Sequence, residues 1–79
     1  MQVNIELTDT YGGEANYSWV RRESFEIADD ATDRAIVRRA KALLGLTGSK
    51  ATKRDSWHNH IALWGLDGAC VVLFIELPY

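Results

Sequence analysis

Hydrophobic and polar residues alternate strictly over the first seven residues of the chain. Successive side chains of a strand point to opposite faces of a sheet, so this alternation predicts a strand with one buried and one polar face. The glycines at 12–13 then supply a turn, and a second antiparallel strand is expected over residues 15–27. We expect a bulge in this strand near residues 22–23, with Tyr17 on the same face as Phe25.

The spacing of hydrophobic residues changes to three and four after Asp30, which predicts an amphipathic helix. Asp30 is expected to cap its N-terminus, and Gly45 is well placed as the C′ residue. Because the helix has a single apolar stripe, it must pack across a sheet. Its basic residues Arg34, Arg38 and Lys41 then face solvent. The apolar stripe contains Ile36, Val37, Ala40, Leu43 and Leu44.

The most hydrophobic part of the chain is residues 61–77, where Asp67-Gly68 separates two apolar runs. Asp-Gly between such runs predicts a hairpin with a two-residue type I′ turn, since both turn residues need positive φ. That turn would pair Leu63 with Val72. Residues 70–75 are apolar on both faces, which is typical of an interior strand covered on both sides.

Residues 50–57 alternate weakly and predict a short edge strand, followed by another strand over 59–64. The predicted fold class is therefore α+β, in the order ββαββ or ββαβββ. It consists of a single mostly antiparallel sheet of four or five strands with one helix packed on one face. Residues 1–79 are expected to form a single domain. One helix covers only one side of a sheet, so some aromatic residues are expected to be exposed as a partner or dimer surface. The aromatic residues concerned are Tyr11, Tyr17, Trp19, Trp57 and Trp64.

The composition is that of a folded domain, with 47% hydrophobic and 25% charged residues among 79. The single cysteine, Cys70, permits no intramolecular disulfide and is expected to be a small core residue. The sequence contains no pattern of a signal peptide or membrane span. We therefore expect a cytoplasmic protein.

Charge is distributed unevenly along the chain, although the net charge is only −2. Residues 34–54 contain seven basic residues and no acidic one, whereas all eleven acidic residues lie elsewhere. Such separation favours recognition of a charged partner. The acidic residues offer an alternative contact, because they could present phosphate-like charge to a basic protein groove. The acidic group consists of Glu6, Asp9, Glu14, Glu23, Glu26, Asp29 and Asp30.

The sequence gives only weak signals of a catalytic or metal site. His58 and His60 could share one face of a strand, but zinc needs at least three protein ligands, and the predicted hairpin register places Cys70 on the opposite face. The glycine pairs lack the lysine and hydroxyl residues of a phosphate loop. No set of nucleophile, base and oxyanion donors is apparent. We therefore predict no catalytic residues, no metal and no cofactor, and a protein that is not an enzyme.

The segment from Asp9 to Arg22, with the capped helix and the apolar hairpin, resembles small proteins of bacteriophages and other mobile elements. The size and plan are similar to those of anti-CRISPR proteins, among them those that act on type I-C systems. This resemblance implies a non-enzymatic inhibitor that binds Cas subunits of a type I surveillance complex. Such an inhibitor blocks target DNA binding or nuclease recruitment in the cytoplasm of an infected or lysogenic host.

An alternative function is nucleic-acid binding by an accessory protein of a phage or mobile element. The basic helix face could follow a phosphate backbone, and Trp57 and His58 could stack on bases. The protein is expected to be a monomer or a homodimer, without membrane association. The predicted contact residues are Tyr11, Tyr17, Trp19, Arg21, Arg22, Arg34, Arg38, Lys41, Lys50, Lys53 and Arg54.

Overall fold

The computed structural model describes residues Met1–Tyr79 and contains one five-stranded antiparallel sheet and one helix. The strands lie side by side in the order β2-β1-β5-β4-β3. The α+β fold class and the longer of the two predicted orders, ββαβββ, are confirmed. The elements are β1 (Gln2–Tyr11), β2 (Glu14–Glu26), α1 (Asp33–Leu43), β3 (Lys53–Trp57), β4 (His60–Trp64), a 3₁₀ turn (Leu66–Gly68) and β5 (Val71–Glu76).

Strand β5 occupies the centre of the sheet, with β1 on one side and β4 on the other. Ile75, for example, pairs with Ile5 of β1 and with Ile61 of β4. Val72 and Leu73 point to opposite faces, and both are completely buried. The prediction of an interior strand is therefore confirmed, but coverage on both sides is incomplete, because on the face of Val72 the next residues, Phe74 and Glu76, are half-buried and exposed.

Helix α1 packs its apolar stripe against one face of this sheet. Ile36, Ala40 and Leu44 are buried together with alternate residues of four strands. Arg34 and Arg38 are exposed, as the helical pattern predicted, but Lys41, predicted to face solvent, is half-buried. Leu43, predicted on the apolar stripe, is 37% exposed. The sheet residues of this core are Val3, Ile5, Leu7, Phe25, Ile61, Leu63, Leu73 and Ile75.

The ends of α1 follow local sequence signals, but the N-terminal prediction was wrong by two residues. Thr32 is the N-cap instead of Asp30, and its hydroxyl accepts a hydrogen bond from the Ala35 amide at 3.1 Å. At the other end Gly45 has a φ of 74°, as expected for the C′ residue. The Leu46 amide donates to the Lys41 carbonyl at 2.7 Å, which closes the last turn.

The hairpin between β4 and β5 forms, but its predicted register was wrong by one residue. Leu63 pairs with Leu73 instead of Val72. Asp67 and Gly68 do have positive φ, yet they belong to a longer loop in which Leu66 is only 2% exposed. The Lys50 amide donates to the Asp67 carboxylate at 3.0 Å and fixes this loop. Burial of Leu66 in the core therefore replaces the tight two-residue turn.

Candidate functional site

One face of the sheet is covered by α1, and the opposite face has no helix; we call this opposite face the open face. It consists of the side chains that alternate with those of the core. The pairing of the five strands arranges them in three rows across the sheet, each read from β2 to β3. The first row contains Ser24, Asn4, Glu76, His60 and Trp57, the middle row Arg22, Glu6, Phe74, Ala62 and Asp55, and the third row Val20, Thr8, Val72, Trp64 and Lys53.

A large bulge in β2 shapes one side of the open face. Thr8 pairs with Val20 and Thr10 with Ala15, so the single β1 residue Asp9 faces the four residues 16–19. The bulge was expected at residues 22–23, where the pairing is in fact regular. The extra residues belong instead to the segment that surrounds the Asp9 carboxylate.

The Asp9 carboxylate holds the bulge together through three hydrogen bonds. It accepts from the Ser18 amide at 3.0 Å, from the Ser18 hydroxyl at 2.6 Å and from the Asn16 side-chain amide at 2.9 Å. The Ser18 hydroxyl and the Asn16 amide hold the pKa of Asp9 well below its usual range. Thr8 adds a fourth bond, because its hydroxyl donates to the Trp19 carbonyl at 2.8 Å.

The bulge places Tyr17 at the open face, with a φ of 55°. Strict alternation had predicted Tyr17 on the face of Phe25, and this was wrong because the bulge interrupts the alternation. The nearby Glu6 carboxylate raises the pKa of Tyr17, and partial burial raises it further. Glu6 also accepts from Arg22 Nε at 2.9 Å. Tyr17, Glu6 and Arg22 thus form a connected group on one side of the open face.

On the other side of the open face, His60 lies between Glu76 and Trp57. His60 Nε2 is 3.4 Å from a Glu76 carboxylate oxygen, and the His60 and Trp57 rings stack with centroids 5.5 Å apart. His58 was predicted to share a strand face with His60, but it lies in the turn between β3 and β4 with a φ of 49° and is exposed. The two imidazoles therefore do not form a pair.

A groove of about 880 Å³ crosses the open face between these two sides. Phe74 and the polar residues of the first row line it, with Tyr17 and Arg22 on the β2 side. Two carboxylates of the open face line this groove, from Glu6 and Glu76, against one guanidinium. The groove therefore combines negative charge with aromatic surface.

Trp64 of β4 lies on the open face between Lys53 of β3 and Val72 of β5. Its indole nitrogen donates to the Asp55 carboxylate at 3.1 Å, and its ring meets the Phe74 ring edge-on with centroids 5.9 Å apart. Lys53 Nζ lies 5.9 Å from the centre of the Trp64 ring and 3.6 Å from Asp55. These contacts fix an aromatic surface next to the groove. Val72, which pairs with Trp64, is completely buried.

The residues predicted as partner contacts do not form one surface. Tyr17, Arg22 and Lys53 belong to the open face, whereas the helix stripe lies on the other side of the sheet. Arg21 and Arg54 also lie on the helix side, where Arg21 approaches the Leu43 carbonyl at 3.4 Å and Arg54 approaches Asp33 at 3.8 Å. The remaining members are Arg34, Arg38 and Lys41 on α1, Tyr11 and Trp19 in the β1–β2 hairpin, and Lys50 in the loop after α1.

The predicted acidic group is also divided. Glu6 and Glu26 belong to the open face, but the Asp9 carboxylate is used by the bulge and Asp29 accepts from the Met1 amino group at 2.7 Å. Sequence reasoning did not include Glu76 or Phe74 among the candidates. Their position in the groove follows from strand pairing, and the alternation of apolar residues in β5 does not indicate it.

Cys70 is exposed just before β5, so the prediction that it is a core residue was wrong. No three metal-binding side chains come together in the structure. A second, smaller groove of about 240 Å³ follows the basic stripe of α1, lined by Arg34, Arg38 and Lys41. Lys41 Nζ donates to the Ser49 carbonyl there at 2.5 Å. The single helix is too short and too polar to cross a bilayer.

Comparison of the chain with protein-family models, with curated proteins and with solved structures gives no significant match.

Proposed function

We propose that this chain is a non-enzymatic inhibitor of the phage type that binds a Cas subunit of a type I surveillance complex through its open face. The bound inhibitor would block target DNA binding or nuclease recruitment. The observation that carries the proposal is the open face itself, which presents fixed aromatic and acidic side chains without a covering helix. Aromatic anchors surrounded by polar residues are characteristic of protein-binding surfaces.

The charges on the two sides of the molecule favour the open face as the surface that meets such a partner. A partner surface that binds target DNA is rich in lysine and arginine. An acidic surface is complementary to it, and complementary charge speeds and orients association. The open face has four acidic residues, and its two basic residues each lie beside one of them. Helix α1 has the opposite balance, with four basic residues and one acidic. The open-face residues are Glu6, Glu26, Asp55 and Glu76 with Arg22 and Lys53, and those of the helix are Arg34, Arg38, Arg39 and Lys41 with Asp33.

The size of the molecule is compatible with this use. A standard protein interface buries about 800 Å² on each partner, which is roughly a sixth of the 4879 Å² accessible surface of this chain. An interface of that size would occupy much of one broad side of the molecule. Contact through the open face would therefore leave the helix side free.

Co-purification with a reconstituted type I-C surveillance complex tests this function. The wild-type chain is expected to remain bound to the complex and to reduce its binding to target DNA. Glu76→Lys places a positive charge on the open face and is expected to weaken retention about tenfold or more, the effect of about 1.4 kcal/mol or more. Glu14→Lys makes the same charge change at the exposed first residue of β2, next to the β1–β2 turn, and should have little effect.

Two results would contradict the proposal. If the complex does not retain the folded wild-type chain, the proposed partner is wrong. If Glu76→Lys binds as the wild type does while Arg38→Glu abolishes binding, the contact is the basic helix stripe and the open face is not involved.

The basic stripe supports a second candidate function, binding to nucleic acid. Arg34, Arg38 and Lys41 lie along one side of α1 and line a shallow groove, an arrangement that suits a phosphate backbone. Binding of short RNA and DNA would then fall steeply as salt increases. The double variant Arg34→Glu/Arg38→Glu should abolish it, whereas Glu76→Lys should not weaken it. Absence of binding at low salt would exclude this candidate.

A further inference from the structure

The groove on the open face is suited to a positively charged group. Glu6 and Glu76 lie in neighbouring rows of its surface, and Arg22 is the one basic side chain that lines it besides His60. Since Arg22 already binds Glu6 at 2.9 Å, its charge is largely offset. A phosphate or carboxylate in this groove would meet the negative charge of Glu76, which no lysine or arginine offsets and which repels anions.

The Glu6 and Glu76 carboxylates differ in their exposure and in the contacts that they already make. The Glu6 side chain is 24% exposed, accepts a hydrogen bond from Arg22 and raises the pKa of the nearby Tyr17 hydroxyl. The Glu76 side chain is 53% exposed, and its neighbour His60 lies at 3.4 Å, which is long for a hydrogen bond. A carboxylate has two oxygens and can accept a bidentate pair of bonds from a guanidinium. Glu76 is therefore the free acceptor of the groove.

The aromatic residues that line the groove together with Glu76 favour a guanidinium over an ammonium ion. Phe74 lies two residues away on the same face of β5, and His60, directly opposite Glu76, is stacked on Trp57. Tyr17 lines the groove from the side of β2. A guanidinium is planar and weakly hydrated and stacks on aromatic rings, whereas an ammonium group is compact and strongly hydrated.

We infer that the groove binds an arginine side chain of the partner protein, with the guanidinium on Glu76 and the aromatic residues Tyr17, Phe74 and His60 around it. This inference rests on the proposed function, because a protein partner supplies the arginine. It adds the residue type that the partner must present at the centre of the interface.

Titration of the isotopically labelled full chain with short peptides, followed by NMR, tests the inference. The first peptide has arginine between glycines, and two matched peptides have lysine or citrulline at that position. Citrulline keeps the shape of arginine but has no charge. We expect saturable shifts at Tyr17, His60, Phe74 and Glu76 with the arginine peptide. The lysine peptide should bind several-fold more weakly, and the citrulline peptide should cause no shift.

A pair of variants with the same charge change completes the test. Glu76→Gln removes the free carboxylate and is expected to weaken binding of the arginine peptide about tenfold, the loss of one charge-assisted contact of about 1.4 kcal/mol. Glu14→Gln, at the first residue of β2, should bind the peptide as the wild type does. Unchanged thermal unfolding of both variants shows that the fold is intact.

The inference is overturned if the folded wild-type chain gives no shifts with the arginine peptide, or if the lysine or citrulline peptide binds equally well. Shifts confined to residues outside the groove would overturn it as well. These results are separable from those of the co-purification experiment. A chain that is retained by the surveillance complex but ignores the arginine peptide keeps its proposed function and loses this inference. A chain that binds the peptide in the groove but is not retained keeps this inference and loses the proposed Cas partner.

Discussion

Asp9 and Ser18 are joined by two hydrogen bonds, one from the Ser18 amide at 3.0 Å and one from its hydroxyl at 2.6 Å, to different oxygens of the same carboxylate. This pair fixes the widest part of the β2 bulge. Tyr17, the residue just before Ser18, reaches the open face because of it. The groove thus depends on a carboxylate that does not line it.

Asp9→Ala is expected to loosen the bulge and to lower the stability of the protein. The Ser18 and Asn16 groups would lose their acceptor, and Tyr17 would no longer be held near Glu6. Thermal unfolding measures the first effect, and the NMR signals of the Tyr17 ring measure the second. Asp30→Ala, which also removes an exposed carboxylate, is the matched control and should change neither. Sharp, unshifted Tyr17 signals in Asp9→Ala would contradict the role given to Asp9.

The contribution of Asp9 should also depend on pH. Its pKa is lowered in the folded protein, so the charged form binds the bulge and stabilises it above the unfolded pKa of about 3.9. This stabilisation is lost as the pH falls through the lower folded pKa. Urea unfolding at a series of pH values should show a constant difference between wild type and Asp9→Ala near neutrality, which shrinks below about pH 4. If the difference in unfolding free energy between wild type and Asp9→Ala grows on acidification, the predicted pH dependence is wrong.

A second pH-dependent contact joins the Met1 amino group to Asp29. The hydrogen bond at 2.7 Å raises the pKa of the amine and lowers the pKa of Asp29. The pair therefore stabilises the fold fully between the unfolded pKa values, about 4 for the carboxyl and about 8 for the amine. Its contribution is lost as the pH rises through the higher folded pKa of the amine. Asp29→Asn should reduce the unfolding midpoint at pH 6, and the reduction should disappear at strongly alkaline pH.

Asp30→Asn makes the same change at the next residue, which is also exposed, and should not alter the midpoint at either pH. If the effect of Asp29→Asn persists after the amine has lost its proton, the stabilisation comes from another source.

The third row of the open face contains two valines that differ in burial. Val72 is completely buried in the central strand, whereas Val20 in the edge strand is 37% exposed. Val72→Asp would bury a carboxylate without a partner and should cost more than about 3 kcal/mol, a large part of the stability of a small domain. Val20→Asp should cost about 0.5 kcal/mol. Urea unfolding measures both, and similar costs would contradict the burial assigned to Val72.

Gly65 is the glycine of the β4–β5 loop at which an added side chain meets another residue. It has a φ of 66°, and an added Cβ would clash with the Thr52 hydroxyl, which donates to the Trp64 carbonyl at 3.1 Å. Gly68 has a φ of 76° with open space around it. Gly65→Ala should therefore destabilise the protein by about 1 kcal/mol more than Gly68→Ala, since it also breaks a hydrogen bond. Equal losses in urea unfolding would show that Thr52 adjusts freely.

The elements of this fold could be predicted from sequence because each has a local physical cause. Alternation over the first seven residues requires a strand, spacing of three and four after Asp30 requires a helix, and Gly45 stops that helix through its positive φ. Residues 70–75, apolar on both faces, require an interior position in the sheet. The helix on one face and its outward Arg34 and Arg38 follow from the same patterns.

The candidate site could not be predicted in this way, because it depends on register and on contacts between distant residues. A strand that is polar on one face has its register fixed by that face, but residues 71–75 of β5 are apolar on both, so a slip of one residue would bury no polar side chain of that segment. Burial of Leu66 decided between the two registers and placed Glu76 opposite His60. The bulge around Asp9 joins residues on two strands and leaves no periodic signal. The sequence by itself determined which segments are strands and helix and where the helix lies, whereas only the tertiary structure decided which side chains meet in the groove.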